Sequence, residues 1–427
     1  MWAWWSSFQD RGALAHKPNR GPRPTDAPAP KVAKWFSFPA IQDMMLSMTH
    51  AEASTPSPSK GARTVGSSRI LALDAARAAA IVGMIAVNVG PRHSEGLAGL
   101  IYELPAGRAS LLFMILAGVG MSIMSRSSRT PGGRVPWATI LWRAALLVVG
   151  GLALQLMHHE VSVILPTYGL LFLVCLPVLR RSAKTLAVLT VLVLLGGPIL
   201  WLAAQGAWGQ TYQFVPPTIL DGPVGILRGI LLSGSYPAVV WAAPFMAGLL
   251  IGRANLRNLR VQRLLVFWGL GAAAGGYLLS RLLIVVAGEP GENVGMDRLV
   301  SAVDHSQMPL WLVSGTGSAA FVLGLFLVGE GFVARRLGFL VPAGRLSLTI
   351  YVGHLVILAM LVRPEPHFLI EGIVITATLS VLSILFAGWW TRRFTTGPLE
   401  MLLHWPRIGR FHTPSPRGAG SPGGSEP

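Results

Sequence analysis

Charged residues are scarce in this chain. Only 12% of its 427 residues are Asp, Glu, Lys or Arg, which is about half the share found in soluble globular domains. Hydrophobic residues make up 52% of the chain, and the mean hydropathy is +0.55. This composition excludes an ordinary soluble protein and indicates a membrane protein.

Cysteine is scarce, and the common catalytic motifs are missing. The single cysteine, Cys175, excludes internal disulfides and a cysteine-based zinc cluster. The sequence has neither the GxxxxGK[ST] loop of P-loop ATPases nor the GxSxG turn of serine hydrolases. The adjacent His158 and His159 would point about 100° apart on a helix, and no second cluster completes a metal site. We therefore expect no bound metal.

The chain has long apolar runs instead. A bilayer core requires roughly 20 apolar residues per helix, and ten runs approach or reach that length. They are continuous, unlike the alternating segments of about ten residues in membrane β-barrels. The sequence therefore predicts an all-α polytopic membrane protein with about ten transmembrane helices. The runs lie at about 70–90, 108–125, 138–157, 161–179, 185–204, 234–252, 264–287, 307–329, 346–362 and 368–390.

Positive charge alternates with these runs. Lys and Arg cluster in every second loop, whereas Asp and Glu concentrate in the others, as the positive-inside rule requires for cytoplasmic loops. Ten helices with both the N- and C-termini in the cytoplasm fit this pattern. The rule also accounts for much of the net charge of +17, so we expect no nucleic-acid partner.

The ends of the chain differ from its middle. Residues 1–69 form a basic Pro/Ser-rich segment that we expect to be disordered, and a start at one of the methionines at 44, 45 and 48 would shorten it. Residues 70–395 form the membrane domain, and 396–427 a cytoplasmic tail. Arg greatly outnumbers Lys, and Ala, Gly and Pro abound, which is typical of GC-rich bacterial genes and favours a bacterial inner (plasma) membrane.

Polar residues interrupt the first run. Asp74, Arg77 and Asn88 fall within about 60° of one another around a helix. Asp74 and Arg77 are three residues apart and can form an ion pair. Because an ionisable side chain in a membrane helix costs at least about 2.5 kcal/mol, such a stripe faces the protein interior. It either fixes helix packing or lines a polar path, and Asn88 favours the path.

Other runs carry similar groups. Tyr351 and His354 share a helical face with Ser347. Arg108 and Arg143 lie near the ends of their runs, where an arginine can extend its head group to the interface. Each of these residues alone fits a packing role, but polar stripes on several helices favour an internal cavity.

Four segments carry a resemblance to known families. The first run follows an R-x-x-x-L-D-x-x-R-G pattern that ends in Asn, with Ala78 in place of the Gly. GRASLLFMILAGVG at 107–120, YPAVVWAAPFMAGLLIGR at 236–253 and GRLSLTIYVGHLVI at 344–357 add to it. The chain resembles transmembrane acyltransferases related to heparan-α-glucosaminide N-acetyltransferase, and equally the YeiB-like DUF418 group of bacterial membrane proteins.

This resemblance implies an activity. It predicts transfer of an acetyl or other acyl group from cytosolic acetyl-CoA or another acyl-CoA to an extracytoplasmic hydroxyl or amine, such as one on a carbohydrate. His93 corresponds to the family's catalytic histidine, although the spacing around it differs; it would act as base or acyl carrier. Arg143 and Arg345 are candidates for binding the coenzyme A phosphates. The residues expected to line or support the cavity are Asp74, Arg77, Asn88, Arg108, Tyr351 and His354.

Two other functions stay open. A transporter would use the same polar stripes to bind a small solute or protons, although the two halves of the chain lack matching Gly/Pro-broken helices. A non-catalytic accessory protein would need its polar residues only for folding. The lipid bilayer is the expected environment in each case, and a homodimer stays open.

Overall fold

The computed structural model describes residues 69–91, 96–207, 216–291 and 294–404. Regular structure within these ranges is helical, with no strand. The N-terminal segment, for which the sequence predicts disorder, lies outside the described residues apart from Arg69. His93 also lies outside them. The α-helices are α1 Leu71–Val89, α2 Gly96–Glu103, α3 Arg108–Met124, α4 Trp137–Leu154, α5 Leu165–Val174, α6 Ala183–Ala207, α7 Pro223–Leu232, α8 Ala238–Ile251, α9 Leu259–Ala287, α10 Pro309–Val328, α11 Glu330–Arg336, α12 Leu340–Arg345, α13 Ser347–Ile357, α14 Leu369–Thr391 and α15 Pro398–Leu402.

Every predicted run contains helix. Within the described ranges, seven helical stretches are long and apolar enough to cross a bilayer, and each falls in a different predicted run. In one of them, α2 and α3 together form the stretch Gly96–Met124. The three remaining runs hold shorter apolar helices, namely α5, α8 and the segment Ser347–Val362. The protein is thus an all-α multi-pass membrane protein.

Proline accounts for two of the shorter helices. Pro166 occupies the first turn of α5, and Pro177 lies in the 3-10 turn that follows this helix. Pro237 immediately precedes α8. Proline lacks an N–H and suits the first turn of a helix, so Pro166 and Pro237 mark where α5 and α8 begin, although Pro244 lies inside α8 and Pro198 inside α6.

α1 lies among several other helices. It packs against α3, α10, α12 and α14, whereas α9 packs mainly against α10. α12 approaches α1 closely at Gly344, where an added Cβ would lie 1.7 Å from the carbonyl oxygen of Asp74. This contact seats α12 directly on the helix that carries the polar stripe.

Two hydrogen-bonded groups mark the ends of the helix bundle. At one end, Arg143 of α4 donates to the carbonyl oxygen of Leu403, next to α15. At the other, Arg363 donates to the carbonyl oxygens of Asn88 and His159. We call the end with Arg143 the Asp74 end of the bundle and the end with Arg363 the Asn88 end.

α15 lies within the segment predicted as a cytoplasmic tail, and it packs against α13.

Candidate functional site

A cavity of about 320 Å³ lies between α1, α3, α4, α5 and α13. Most of its wall is apolar, and two arginines, two tyrosines and a serine supply its polar side chains. Leu403 completes the wall from the C-terminal segment. The lining residues are Arg77, Phe113, Leu116, Ala117, Gly120, Met121, Met124, Arg143, Leu147, Leu165, Tyr168, Phe172, Ser347, Leu348, Tyr351 and Leu403.

Arg77 reaches the cavity from α1 and is held by Asp74. The Asp74 carboxylate is 2% exposed and accepts a hydrogen bond from Arg77 Nη1 at 3.0 Å. Arg69, at the start of the helix, donates to both oxygens of the same carboxylate. The predicted ion pair is therefore confirmed, and Asp74 orients a guanidinium group at the cavity wall.

Arg143 provides the second positive charge. Its Nε donates to the Leu403 carbonyl oxygen at 3.1 Å, and its Nη1 lies 2.9 Å from the sulfur of Met124. Glu400 of α15 accepts hydrogen bonds from the backbone N–H groups of Leu348 and Thr349, in the first turn of α13. The C-terminal segment thus joins α4 to α13 at the Asp74 end of the cavity.

Two tyrosines lie in the part of the cavity nearer the Asn88 end. Tyr351 of α13 stacks on Phe113 with ring centroids 6.5 Å apart, and Tyr168 of α5 meets the same ring edge-on at 5.7 Å. The Tyr351 hydroxyl accepts a hydrogen bond from the Ile164 N–H. The buried Tyr168 hydroxyl has no hydrogen-bond partner within the described part of the chain.

A polar network continues from Tyr351 to the Asn88 end. The His354 ring lies 5.2 Å from the Tyr351 ring, and its Nε2 is 3.1 Å from the side-chain nitrogen of Asn88. Arg363 Nη2 donates to the Asn88 carbonyl oxygen at 2.7 Å, and its Nε to that of His159 at 2.8 Å. Asn88 and His354 therefore lie together beyond the cavity, rather than in its wall.

The two histidines of the third predicted loop are not gathered into a metal site. His159 is buried; its Nδ1 accepts from the Val161 N–H, and its Nε2 is 3.0 Å from the Leu154 carbonyl oxygen. Burial lowers its pKa, and the charge of nearby Arg363 adds to this shift. Among the residues that the structure describes, no three His, Cys, Asp or Glu side chains could together hold a metal.

A separate cluster surrounds His305 at the Asn88 end. Its ring lies 5.5 to 5.8 Å from those of Tyr236, Trp241 and Trp311, and its backbone has a φ of 55°. The neighbouring Asp304 is exposed as a whole residue, but surrounding protein atoms keep water from its carboxyl group, which raises its pKa to about 6. The positive charge of Arg108 opposes that shift.

The predicted site residues thus fall into several groups. Arg77, Arg143 and Tyr351 line the cavity. Arg108 lies near Asp304, and Arg345 donates to the Thr395 carbonyl oxygen outside the cavity lining.

Sequence reasoning missed Arg363, because it follows an apolar run at a loop boundary where arginine is common. It noted Tyr168, two residues after Pro166 in the fourth run, only as one of the polar groups that favour an internal cavity, and did not include it among the site residues.

Comparison with known proteins agrees with one part of the predicted resemblance. No curated protein sequence matches the chain at a significant level. Residues 252–409 match the family model described as protein of unknown function, DUF418. This range begins just before α9 and ends beyond α15. It includes α13, which carries Tyr351 and His354. The chain is thus similar to the DUF418 family over its C-terminal part, residues 252–409.

Proposed function

We propose that this protein is a membrane-embedded acyltransferase. It takes an acyl group, acetyl in the simplest case, from an acyl-CoA at the Asp74 end and delivers it to a hydroxyl or amine at the Asn88 end. The observation that carries the proposal is the cavity, in which Arg77 and Arg143 border an otherwise largely apolar wall. An acyl thioester linked to a phosphorylated carrier matches that combination of charge and apolar surface.

The cavity size indicates which part of the acyl-CoA donor would lie inside the cavity. Its volume of about 320 Å³ is at the lower end of the roughly 300–1,000 Å³ of small-molecule pockets. The thioester and part of the pantetheine arm would fit inside, with the nucleotide outside. Arginine forks bind phosphate oxygens in pairs, and Arg143 at the Asp74 end is suited to that role.

The reaction requires one bond exchange. The acceptor oxygen or nitrogen attacks the thioester carbonyl carbon, the new C–O or C–N bond forms, and the C–S bond breaks. The acceptor proton passes to a base and then to the departing coenzyme A thiolate. His93 stays the predicted base for this exchange; as an acyl carrier it would instead first take the acyl group from the thioester as the C–S bond breaks, and the acceptor would then displace the imidazole from the acyl carbon. Asn88 and His354, hydrogen-bonded together beyond Tyr351, mark the route by which the acceptor would approach.

The sidedness of the reaction follows from charge. The loops predicted to be cytoplasmic are rich in Arg and Lys, and cytosol is where acyl-CoA is made. We therefore place the Asp74 end in the cytoplasm of a bacterial cell and the acceptor, a carbohydrate-like hydroxyl or amine, outside the inner membrane.

Calorimetric titration of acetyl-CoA into the purified protein in detergent tests this function. Wild type should bind, and Arg143→Gln should bind about tenfold more weakly, because a hydrogen bond to a charged group contributes about 1.5–3 kcal/mol. Arg345→Gln is the matched control, since Arg345 also donates to a carbonyl of the C-terminal segment but lies outside the cavity lining. It should bind as wild type does.

The same titration can exclude the proposal. If folded wild-type protein binds neither acetyl-CoA nor longer acyl-CoAs, the acyltransferase hypothesis is wrong. The transporter hypothesis then becomes the leading one, and uptake assays in proteoliposomes follow.

A further inference from the structure

The Tyr168 hydroxyl group is the feature of the cavity that its protein contacts leave unexplained. The side chain is 3% exposed and lines the cavity, and its oxygen has no hydrogen-bond partner among the described residues. Buried polar groups in folded proteins nearly always have a partner. A hydroxyl at a cavity wall is satisfied by whatever occupies the cavity: water in the empty protein and a ligand in the complex.

Comparison with Tyr351 sharpens this point. Both tyrosines line the cavity and both contact the Phe113 ring. The Tyr351 hydroxyl is held by the Ile164 N–H, so it has a structural role at the start of α5. Tyr168 has no such bond, although the fold keeps its ring in place. Its hydroxyl is therefore free to serve a ligand.

The ligand chemistry follows from the surroundings. Phe113, Leu116, Leu165 and Phe172 line the cavity together with Tyr168, and such a wall suits an uncharged group with one hydrogen-bond acceptor. A carbonyl oxygen is such an acceptor. In the proposed reaction, negative charge develops on this oxygen as the acceptor attacks, and a fixed donor beside it stabilises the transition state.

We propose that the Tyr168 hydroxyl donates a hydrogen bond to the carbonyl oxygen of the bound acyl thioester. This assignment rests on the proposed function and names a further catalytic residue for it. The bond polarises the carbonyl and fixes the acyl group at the end of the cavity nearer Asn88. The arginines hold the carrier at the other end.

Substitution Tyr168→Phe removes only the hydroxyl. Without ligand, the variant should melt at the wild-type temperature or slightly above, because no protein hydrogen bond is lost. Tyr351→Phe should melt at a lower temperature, because the Ile164 N–H loses its acceptor. Destabilisation of Tyr168→Phe to the same degree as Tyr351→Phe would assign the hydroxyl a structural bond and overturn the proposal.

Infrared spectroscopy of bound acetyl-CoA, labelled with carbon-13 at the thioester carbonyl, tests the contact directly. In wild type the carbonyl stretch should lie below its frequency in Tyr168→Phe, and the variant should bind about two- to tenfold more weakly. Tyr277→Phe, on the exposed surface of α9, should match wild type in both measurements.

The outcomes separate this proposal from the one on which it rests. Equal carbonyl frequencies in wild type and Tyr168→Phe, with binding intact, would overturn the role of Tyr168 and leave the acyltransferase function standing. Failure of the wild-type protein to bind acetyl-CoA at all would overturn both.

Discussion

Helices α1 and α9 have nearly the same hydropathy and opposite surroundings. Their most apolar windows average 1.6 and 1.7, yet 72% of the α1 window is buried in the protein and only 11% of the α9 window. Each helix carries an arginine inside its span. Arg77 of α1 is paired with Asp74 at the cavity, whereas Arg281 of α9 is exposed on the helix surface.

The difference shows what a polar residue in an apolar run signifies. Hydropathy does not distinguish a helix at the centre of a bundle from one that faces lipid. The spacing of polar residues does, because Asp74, Arg77 and Asn88 share one face of α1 while Arg281 has no such companion on α9. A lone arginine can extend its head group to the interface, but a stripe requires partners from other helices.

The largest expected effect concerns the packing around α1. Gly344→Ala places a methyl group 1.7 Å from the Asp74 carbonyl oxygen, so α12 must move away from α1. We expect the free energy of unfolding to fall by about 3 kcal/mol or more. Gly271→Ala on α9 meets no atom within 4 Å and should leave the melting temperature unchanged or raise it. Equal melting temperatures for the two variants would contradict the comparison.

The next effect concerns the buried charge. Asp74→Asn leaves Arg77 at the cavity wall without its counter-charge, and breaking such a pair costs about 3 kcal/mol. Denaturant titration in detergent should show this loss of stability. Arg281→Leu, which removes a charge from the exposed face of α9, should change stability by no more than about 0.5 kcal/mol. A comparable loss in both variants would mean that Arg281 also has a structural partner.

A smaller effect is expected at the other end of the α1 stripe. Asn88→Ala removes the side chain that lies 3.1 Å from His354 Nε2, and loss of one neutral hydrogen bond costs about 1 kcal/mol. Thermal melting should show a modest decrease, and the Asn88→Gln variant tests whether a longer amide restores it. An unchanged melting temperature for Asn88→Ala would mean that the contact contributes nothing to stability.

The sequence predicted which polar side chains share a face of one helix better than it predicted the contacts between helices. The Asp74–Arg77 pair follows from a spacing of three residues on one helix, and the structure confirms it at 3.0 Å. Asn88 and His354 were both expected to line or support the cavity, and their direct contact depends on how α1 and α13 cross. Helix periodicity shows which face a residue occupies but not what lies opposite that face.

The same limit explains why sequence reasoning did not include Tyr168 among the site residues and did not separate Arg143 from Arg345. Tyr168 looks like one more aromatic residue in an apolar run, and only the packing of α5 against α3 and α4 brings it to the cavity. Arg345 and Arg143 look equivalent as basic residues of the same end. The structure separates them, because Arg143 lies within an apolar helix at the cavity wall and Arg345 lies at the end of α12.

The smallest expected effect lies in the loop that follows α9, at Asp304. Shielding from water raises the pKa of its carboxyl group from 3.8 to about 6, so the folded protein favours the protonated form. Its contribution to stability is fully present below pH 3.8 and is lost as the pH rises through about 6. Asp304→Asn should therefore flatten the dependence of melting temperature on pH between about 4 and 7, and should raise the melting temperature slightly at pH values above that range.

Arg281→Leu, on the neighbouring exposed helix, should keep the wild-type pH profile. An Asp304→Asn profile that still falls with rising pH across this range would assign the titration to another group.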